Sequence, residues 1–237
     1  RGLHLHSTLA VTPDGLPLGL LRAQCWASTP KSAEETRPRT AIPIEEKESV
    51  CWIRGLRDCG ELAEAVPGTR LVQVLDREAD FYELFHEQRR NPGVELLVRA
   101  QYNRNTTDST KLFESLRDSP ARSRLASKVK RQSARAKMSK QKAKPGHPGR
   151  TAHVTVHYRQ VEFRPPAYHK DKGPLSVWAV YVHETDPPQG VEPIEWCLLT
   201  TCHIASAAAA ETFLHWYCLR WRIEDWHRVL KSGCGVE

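Results

Sequence analysis

The last twenty residues hold the groups best suited to chemistry. Tyr217, Arg220, Glu224 and Lys231 follow one another at steps of 3, 4 and 7. On an α-helix those steps keep all four on one face. The face carries one carboxylate, two cations and a phenol. A packed core has no need of that set. A site that holds a metal ion and grips a phosphate backbone does. Arg228 stands on a neighbouring turn of the same stretch.

A second carboxylate, Asp76, follows the apolar run Leu71-Val72-Gln73-Val74-Leu75. That puts it at the C-terminal end of a strand, the edge where ligand sites of α/β sheets form. Two readings stand for it. A hard oxygen donor there can hold Mg²⁺, which takes a few carboxylates and completes its shell with waters and phosphate oxygens. Alternatively, Asp76 caps the helix that follows. Together with Glu224 on a facing helix, Asp76 suits two-metal phosphoryl chemistry, with one ion at the attacking oxygen and the other at the leaving oxygen. Arg220, Arg228 and Lys231 would bind phosphates beside them.

The elements that position these groups read as α/β. Residues 3–11 alternate as a half-buried strand, Thr12-Pro13-Asp14-Gly15 is a turn, and residues 16–26 return as a second strand. Residues 49–66 carry helical apolar spacing and stop at Pro67-Gly68. Strand 71–75, helix 79–90 and strand 94–98 follow, an order that points to an α/β core. After Gln101 the composition turns polar. Residues 154–158, 161–163, 175–183 and 196–201 read as strands, and residues 205–231 close the chain as helix. The expected division is a catalytic core over 1–100, a β-rich insertion over 101–195 and the end of the core over 196–237.

Composition bounds the partners. The 237 residues are 40% hydrophobic and include seven Trp, enough for a globular core. No apolar run reaches the length of a membrane span. Seven Cys without a C-x-x-C pair argue against zinc and against a disulfide framework, and for a reduced cytoplasmic compartment. The net charge is +7, but residues 121–150 contain eleven Lys and Arg and no acid, so the remainder is net acidic. That segment reads either as a polyanion contact or as a solvated loop with no particular partner. A loop over 121–150 is expected in both cases.

The arrangement Tyr217-x2-Arg220-x3-Glu224-x6-Lys231 resembles the Y-R-E-K signature of bacterial cut-and-paste transposases of insertion-sequence family four, within the DDE superfamily. Asp76-Arg77-Glu78-Ala79-Asp80 is similar to the segment around that family's second catalytic Asp. Pro187-Pro188-x-Gly190 and Trp196-Cys-Leu-Leu-Thr200 also resemble it. The resemblance implies a ribonuclease H-like mixed sheet with flanking helices and a β-rich insertion. It implies Asp76 and Glu224 as catalytic metal ligands for Mg²⁺, with Mn²⁺ as a substitute. Tyr217, Arg220, Arg228 and Lys231 would be DNA contacts, and Trp196 would stack on an extruded base, unless it is a core residue. Arg99, ending a core strand, is a further DNA-contact candidate. The partners implied are double-stranded transposon ends and target DNA, with a homodimer assembled on the DNA and a nucleoid-associated location in a bacterial cytoplasm.

The family's first catalytic Asp has no counterpart here. Asp14 sits in a Pro-Asp-Gly turn that turn chemistry explains. The chain is therefore expected to be a catalytic-core fragment, inactive alone, whose first acid lies upstream of Arg1. Two other readings compete. A non-catalytic DNA-binding remnant of a degraded element would keep the fold and the phosphate contacts. A general ribonuclease H-like nuclease accounts for Asp76 and Glu224 but not for the Tyr-Arg-Lys spacing. His4-x-His6 reads as strand surface rather than as a metal site, and His227 as either a surface residue or a hydrogen-bonding partner in the active site.

Overall fold

The computed structural model describes residues 3–27, 37–38, 41–131, 133–134 and 146–235. The chain opens with a hairpin of β1 (Leu3–Val11) and β2 (Pro17–Ala27), which form a two-stranded antiparallel sheet. Helix α1 (Val50–Ala65) leads to β3 (Leu71–Leu75), then α2 (Tyr82–Gln88) and β4 (Val94–Arg99). Next come α3 (Leu112–Arg117), β5 (Ser123–Val129), β6 (Arg150–Phe163), β7 (Leu175–Glu184) and β8 (Glu195–Thr200). Helices α4 (Ala207–Leu219) and α5 (Arg222–Arg228) close the chain. The second sheet has six strands in the order β3-β4-β8-β7-β6-β5; β3 and β4 are parallel and all other pairs antiparallel. This mixed α/β architecture is compatible with a ribonuclease H-like arrangement.

Alternation along the strands divides the sheet between two cores. Leu96, Val98, Val177, Ala179, Tyr181 and Leu199 bury one face with α1, α2 and α3. Leu97, Val180, Val182 and Leu198 bury the other against Phe213, Leu214 and Tyr217 of α4. The Ala-rich start of α4 is a strong helix former. Its N-cap Ser206 accepts a hydrogen bond from Ala209 N at 3.2 Å. Val72 and Val74 of β3 pack on the α4 side. Asp76 continues that parity past the strand end, which aims it toward the end of α4.

Three expectations need correction. Residues 121–150 are not a loop throughout. Ser123–Val129 pairs along its length with β6, and Arg150 opens β6. Arg150 also binds the buried Glu184 (Nη2–Oε2 2.9 Å), so one of the eleven cations is structural. Residues 132 and 135–145 lie outside the described ones. The hairpin is less buried than its alternation suggests. Leu3, Leu5, Leu16, Leu18 and Leu20 are all exposed, because the hairpin's partners are helices at its middle and turn rather than a sheet across its face. Residues 205–231 are not one continuous helix. Arg220 N bonds Tyr217 O and Glu224 N bonds Trp221 O, three-residue steps that tighten the backbone between α4 and α5. Val229–Gly233 then widens into a π turn. Residues 101–195 supply α3 and β5–β7, and β7 pairs directly with β8. Among the described residues no helix is long and apolar enough to cross a membrane.

Candidate active site

Asp76 ends β3 and starts a short 3-10 turn, Arg77–Ala79. Its Oδ1 accepts from Glu78 N at 2.9 Å. The capping role is therefore real, and it occupies one carboxylate oxygen. The other, Oδ2, lies 4.0 Å from Arg220 Nη1. The same nitrogen lies 3.5 Å from Glu224 Oε1. The two acids thus converge on a single guanidinium across the gap between the end of β3 and the α4–α5 junction. Asp76 is partly exposed and Glu224 more so, which leaves room for water around both.

Neighbouring groups fix this junction. His227 Nε2 lies 3.4 Å from Ser7 Oγ and ties α5 to β1. His6 packs edge-on against Trp52, with ring centroids 4.5 Å apart. Burial lowers the His6 pKa; the charge of Asp76 partly opposes this and His227 adds to it. Asp76 and His227 are therefore both in electrostatic reach of His6. Sequence reasoning treated His6 as strand surface and missed it. The His4-x-His6 pair was the available signal, and what decides its role is the packing of β1 on α1. At the other end of the hairpin, Gly15 reaches Leu219 and Arg222, and His215 Nε2 lies 3.2 Å from Pro13 O.

The remaining sequence-predicted residues fall into two groups. Arg99, Trp196 and Tyr217 form a stack on the α4 side of the sheet. The Arg99 guanidinium lies 5.3 Å from the centre of the Trp196 ring, and Tyr217 meets that ring edge-on at 5.6 Å. Tyr217 is buried, only 5% exposed, and acts as a core residue that supports Trp196. Arg228 and Lys231 stand on the exposed surface of α5 and the π turn. Arg228 is held by Asp225 at 3.0 Å rather than by either site acid. Arg220, whose guanidinium also lies 5.9 Å from the exposed Trp221 ring, is the cation that reaches the acids.

The donor set can be tested against a divalent ion. Asp76 Oδ2 and Glu224 Oε1 are hard oxygens already drawn to one cation. Mg²⁺ is held by one or two carboxylates plus waters and phosphate oxygens, and the pair meets that requirement. Among the described residues no third His, Cys, Asp or Glu joins them in a metal-type cluster.

A mixed α/β sheet with one acid at a strand end and another on a facing helix is compatible with a ribonuclease H-like class of domain, and the comparison with known families is specific within it. The family model described as the transposase DDE domain matches residues 56–237, and the chain belongs to that family. It is a domain of the DDE-superfamily transposases, enzymes of the nuclease and transposase class, which implies DNA as the partner; such enzymes generally use divalent metal ions.

Proposed function

We propose that this chain is the catalytic core of a cut-and-paste transposase that performs metal-dependent phosphodiester hydrolysis and strand transfer at transposon ends. The observation that carries the reading is the convergence of Asp76 and Glu224 on Arg220. Asp76 and Glu224 would hold Mg²⁺, or Mn²⁺ in its place. Bound there, such ions supply activation of the attacking oxygen and stabilisation of the leaving oxygen. Arg220 would turn from the acids to a DNA phosphate near the cut, a charge-assisted bond that also fixes register. Lys231 and Arg228 would bind phosphates further along, from exposed positions. Arg99 and Trp196 would meet a base together, with Tyr217 bracing the indole. The spacing Tyr217-x2-Arg220-x3-Glu224-x6-Lys231 supports a finer placement in insertion-sequence family four. Residues 101–195 then serve as an insertion between the parts that carry the acids. The working form would be a homodimer on transposon ends and target DNA in a bacterial cytoplasm.

The third acid is proposed to come from a further strand. β1 and β3 both pack around Gly55 of α1, whose Cβ position is 3.2 Å from Gln73 Nε2 and 3.6 Å from Thr8 Oγ1. No backbone pairing joins these two strands among the described residues. At the seam, His6 Nδ1 and Gln73 Oε1 are buried without hydrogen-bond partners, a situation folded proteins rarely tolerate. An added strand ending beside Asp76 would serve both edges.

One observation favours a second reading for the chain as it stands. Two acids without a third among the described residues suit a DNA-binding remnant that does not cut. End-labelled transposon-end DNA with Mg²⁺ separates the two. This chain alone is expected to bind without cleavage, and a chain that carries the third acid on the further strand to cleave. Glu224→Gln in that second chain should bind and not cut, because the amide keeps the shape and loses the charge. Cleavage by that variant at the unmutated rate would sink the mechanism.

A further inference from the structure

At the far end of α4 from the acids lies an open cleft of about 490 Å³ that the proposed chemistry does not use. Tyr158, Trp178 and His203 line it, with Arg122, Arg159 and Gln160 at its sides. Trp178 stands edge-on to His203, with ring centroids 5.0 Å apart and planes at 86°. Tyr158 tilts toward Trp178 at 6.4 Å, and the Arg122 guanidinium lies 5.7 Å from the centre of the Tyr158 ring. Trp178 and Tyr158 are only partly buried. Trp196 has Arg99 over its ring, whereas among the described residues the Trp178 ring meets His203 and Tyr158 rather than a guanidinium. Arg159 is engaged by Asp108 at 4.0 Å, which makes Arg122 the cation offered to an incoming anion.

We propose that this cleft is a second DNA site, which takes one unstacked base of a single-stranded segment against Trp178 and Tyr158 while Arg122 binds its phosphate. Three chemical features point to this ligand. Aromatic rings stack on any base regardless of sequence, an arginine supplies the phosphate contact, and a cleft of this size accepts a nucleotide. The cleft's position adds a register. Ile204 and Ala205 line it just before α4, and Arg220 follows the last residue of α4. Thirteen helical residues at 1.5 Å each separate the two sites by roughly 20 Å. At 3.4 Å per strand step, a strand running along α4 covers that span in about six nucleotides. The cleft would thus hold a base about six steps from the bond at the acids. The proposal rests on the reading that the chain binds DNA, and it is independent of cutting.

The test uses an oligonucleotide with 2-aminopurine in a single-stranded stretch and no divalent metal. Stacking on an indole quenches that base. Quenching is expected with the unmutated chain and with Glu224→Gln. It should be lost with Trp178→Leu, whose affinity for the single strand should fall about tenfold while duplex affinity holds. Trp178→Phe should recover most of the single-strand affinity, which separates stacking from a folding defect. Arg122→Gln should weaken binding and flatten its salt dependence. Binding without quenching in the unmutated chain, or equal quenching by Trp178→Leu, overturns the proposal. Absence of binding to any DNA would instead count against the DNA reading itself.

Discussion

Asp76 and Glu224, far apart in the chain, meet at one nitrogen: Arg220 Nη1 lies 4.0 Å from the first and 3.5 Å from the second. A guanidinium placed there neutralises charge that a divalent ion would otherwise claim. The same side chain is the one proposed to bind a phosphate, so DNA that draws Arg220 away leaves both carboxylates to the metal. Arg220→Gln should therefore bind Mn²⁺ about five- to tenfold more tightly than the unmutated chain when DNA is absent. That corresponds to about 1 kcal/mol, the size of a partly exposed ion pair. The same variant should bind DNA more weakly. Calorimetric titration with Mn²⁺ checks the first part, and an unchanged or weaker affinity would count against competition at this site.

Asp76 uses its two oxygens differently, and substitutions can separate the uses. Oδ1 caps the turn at Glu78 N, while Oδ2 faces Arg220. Asn is as good a cap as Asp, so Asp76→Asn should change unfolding free energy by less than about 0.5 kcal/mol. Asp76→Ala loses the cap and should cost about 1 kcal/mol. Mn²⁺ binding should fall sharply in both. Urea unfolding set beside metal titration gives the comparison. Retained Mn²⁺ affinity in Asp76→Asn would remove Asp76 from the metal site.

The Arg150–Glu184 pair gives the fold an acid-sensitive joint between β6 and β7. Glu184 is 1% exposed and accepts from Arg150 and from Ile194 N. The Arg150 hydrogen bond, partly opposed by burial and assisted by the Ile194 N–H, holds its carboxyl below the ordinary value of 4.5. A depressed folded value means that the unfolded chain takes up the proton first as pH falls. The contribution is therefore complete above about pH 4.5 and is lost as pH drops through the lowered value. Thermal unfolding from pH 7 to pH 3 should show a Tm that falls most steeply below 4.5. Glu184→Gln should start a few degrees lower at pH 7 and lose less of its Tm on acidification. Parallel curves would show that this pair does not set the acid limb.

Much of the fold was legible because its signals are local. The alternation of β1, the Thr12-Pro13-Asp14-Gly15 turn that returns the chain as β2, the run Leu71–Leu75 before Asp76, and the Pro67-Gly68 stop after α1 each follow from side-chain period or turn chemistry within a few residues. The extent of β5 was not legible. Its Arg124, Ser127 and Lys128 look like solvated loop, and only the ladder to β6 makes Ser123–Val129 a strand. The candidate site divides the same way. The Arg220–Glu224 pair follows from i,i+4 spacing. Its meeting with Asp76 depends on which face of the sheet α4 covers. The burial of Tyr217 and the tightening at the α4–α5 junction arise from packing on Trp196 and from backbone bonds that periodicity does not encode.

The hairpin turn is predicted to govern where Arg220 stands. Gly15 has φ +88, a left-handed conformation in which a side chain is strained. A Cβ there would also lie 3.0 Å from Leu219 Cδ2, the last residue of α4, and 3.6 Å from Arg222 Nη2. Leu219 directly precedes Arg220, and a displacement of Leu219 that reaches its backbone moves the junction carrying Arg220 and Glu224. Gly15→Ala should therefore cost about 1–2 kcal/mol in urea unfolding, from backbone strain alone. It should also weaken Mn²⁺ binding although no metal-facing group has changed. Gly15→Asn separates the two causes. Asn tolerates the left-handed region better than Ala but presses on Leu219 at least as hard. It should regain part of the stability and leave Mn²⁺ binding impaired. If Gly15→Asn restores metal affinity along with stability, the hairpin serves the fold alone and does not position the site.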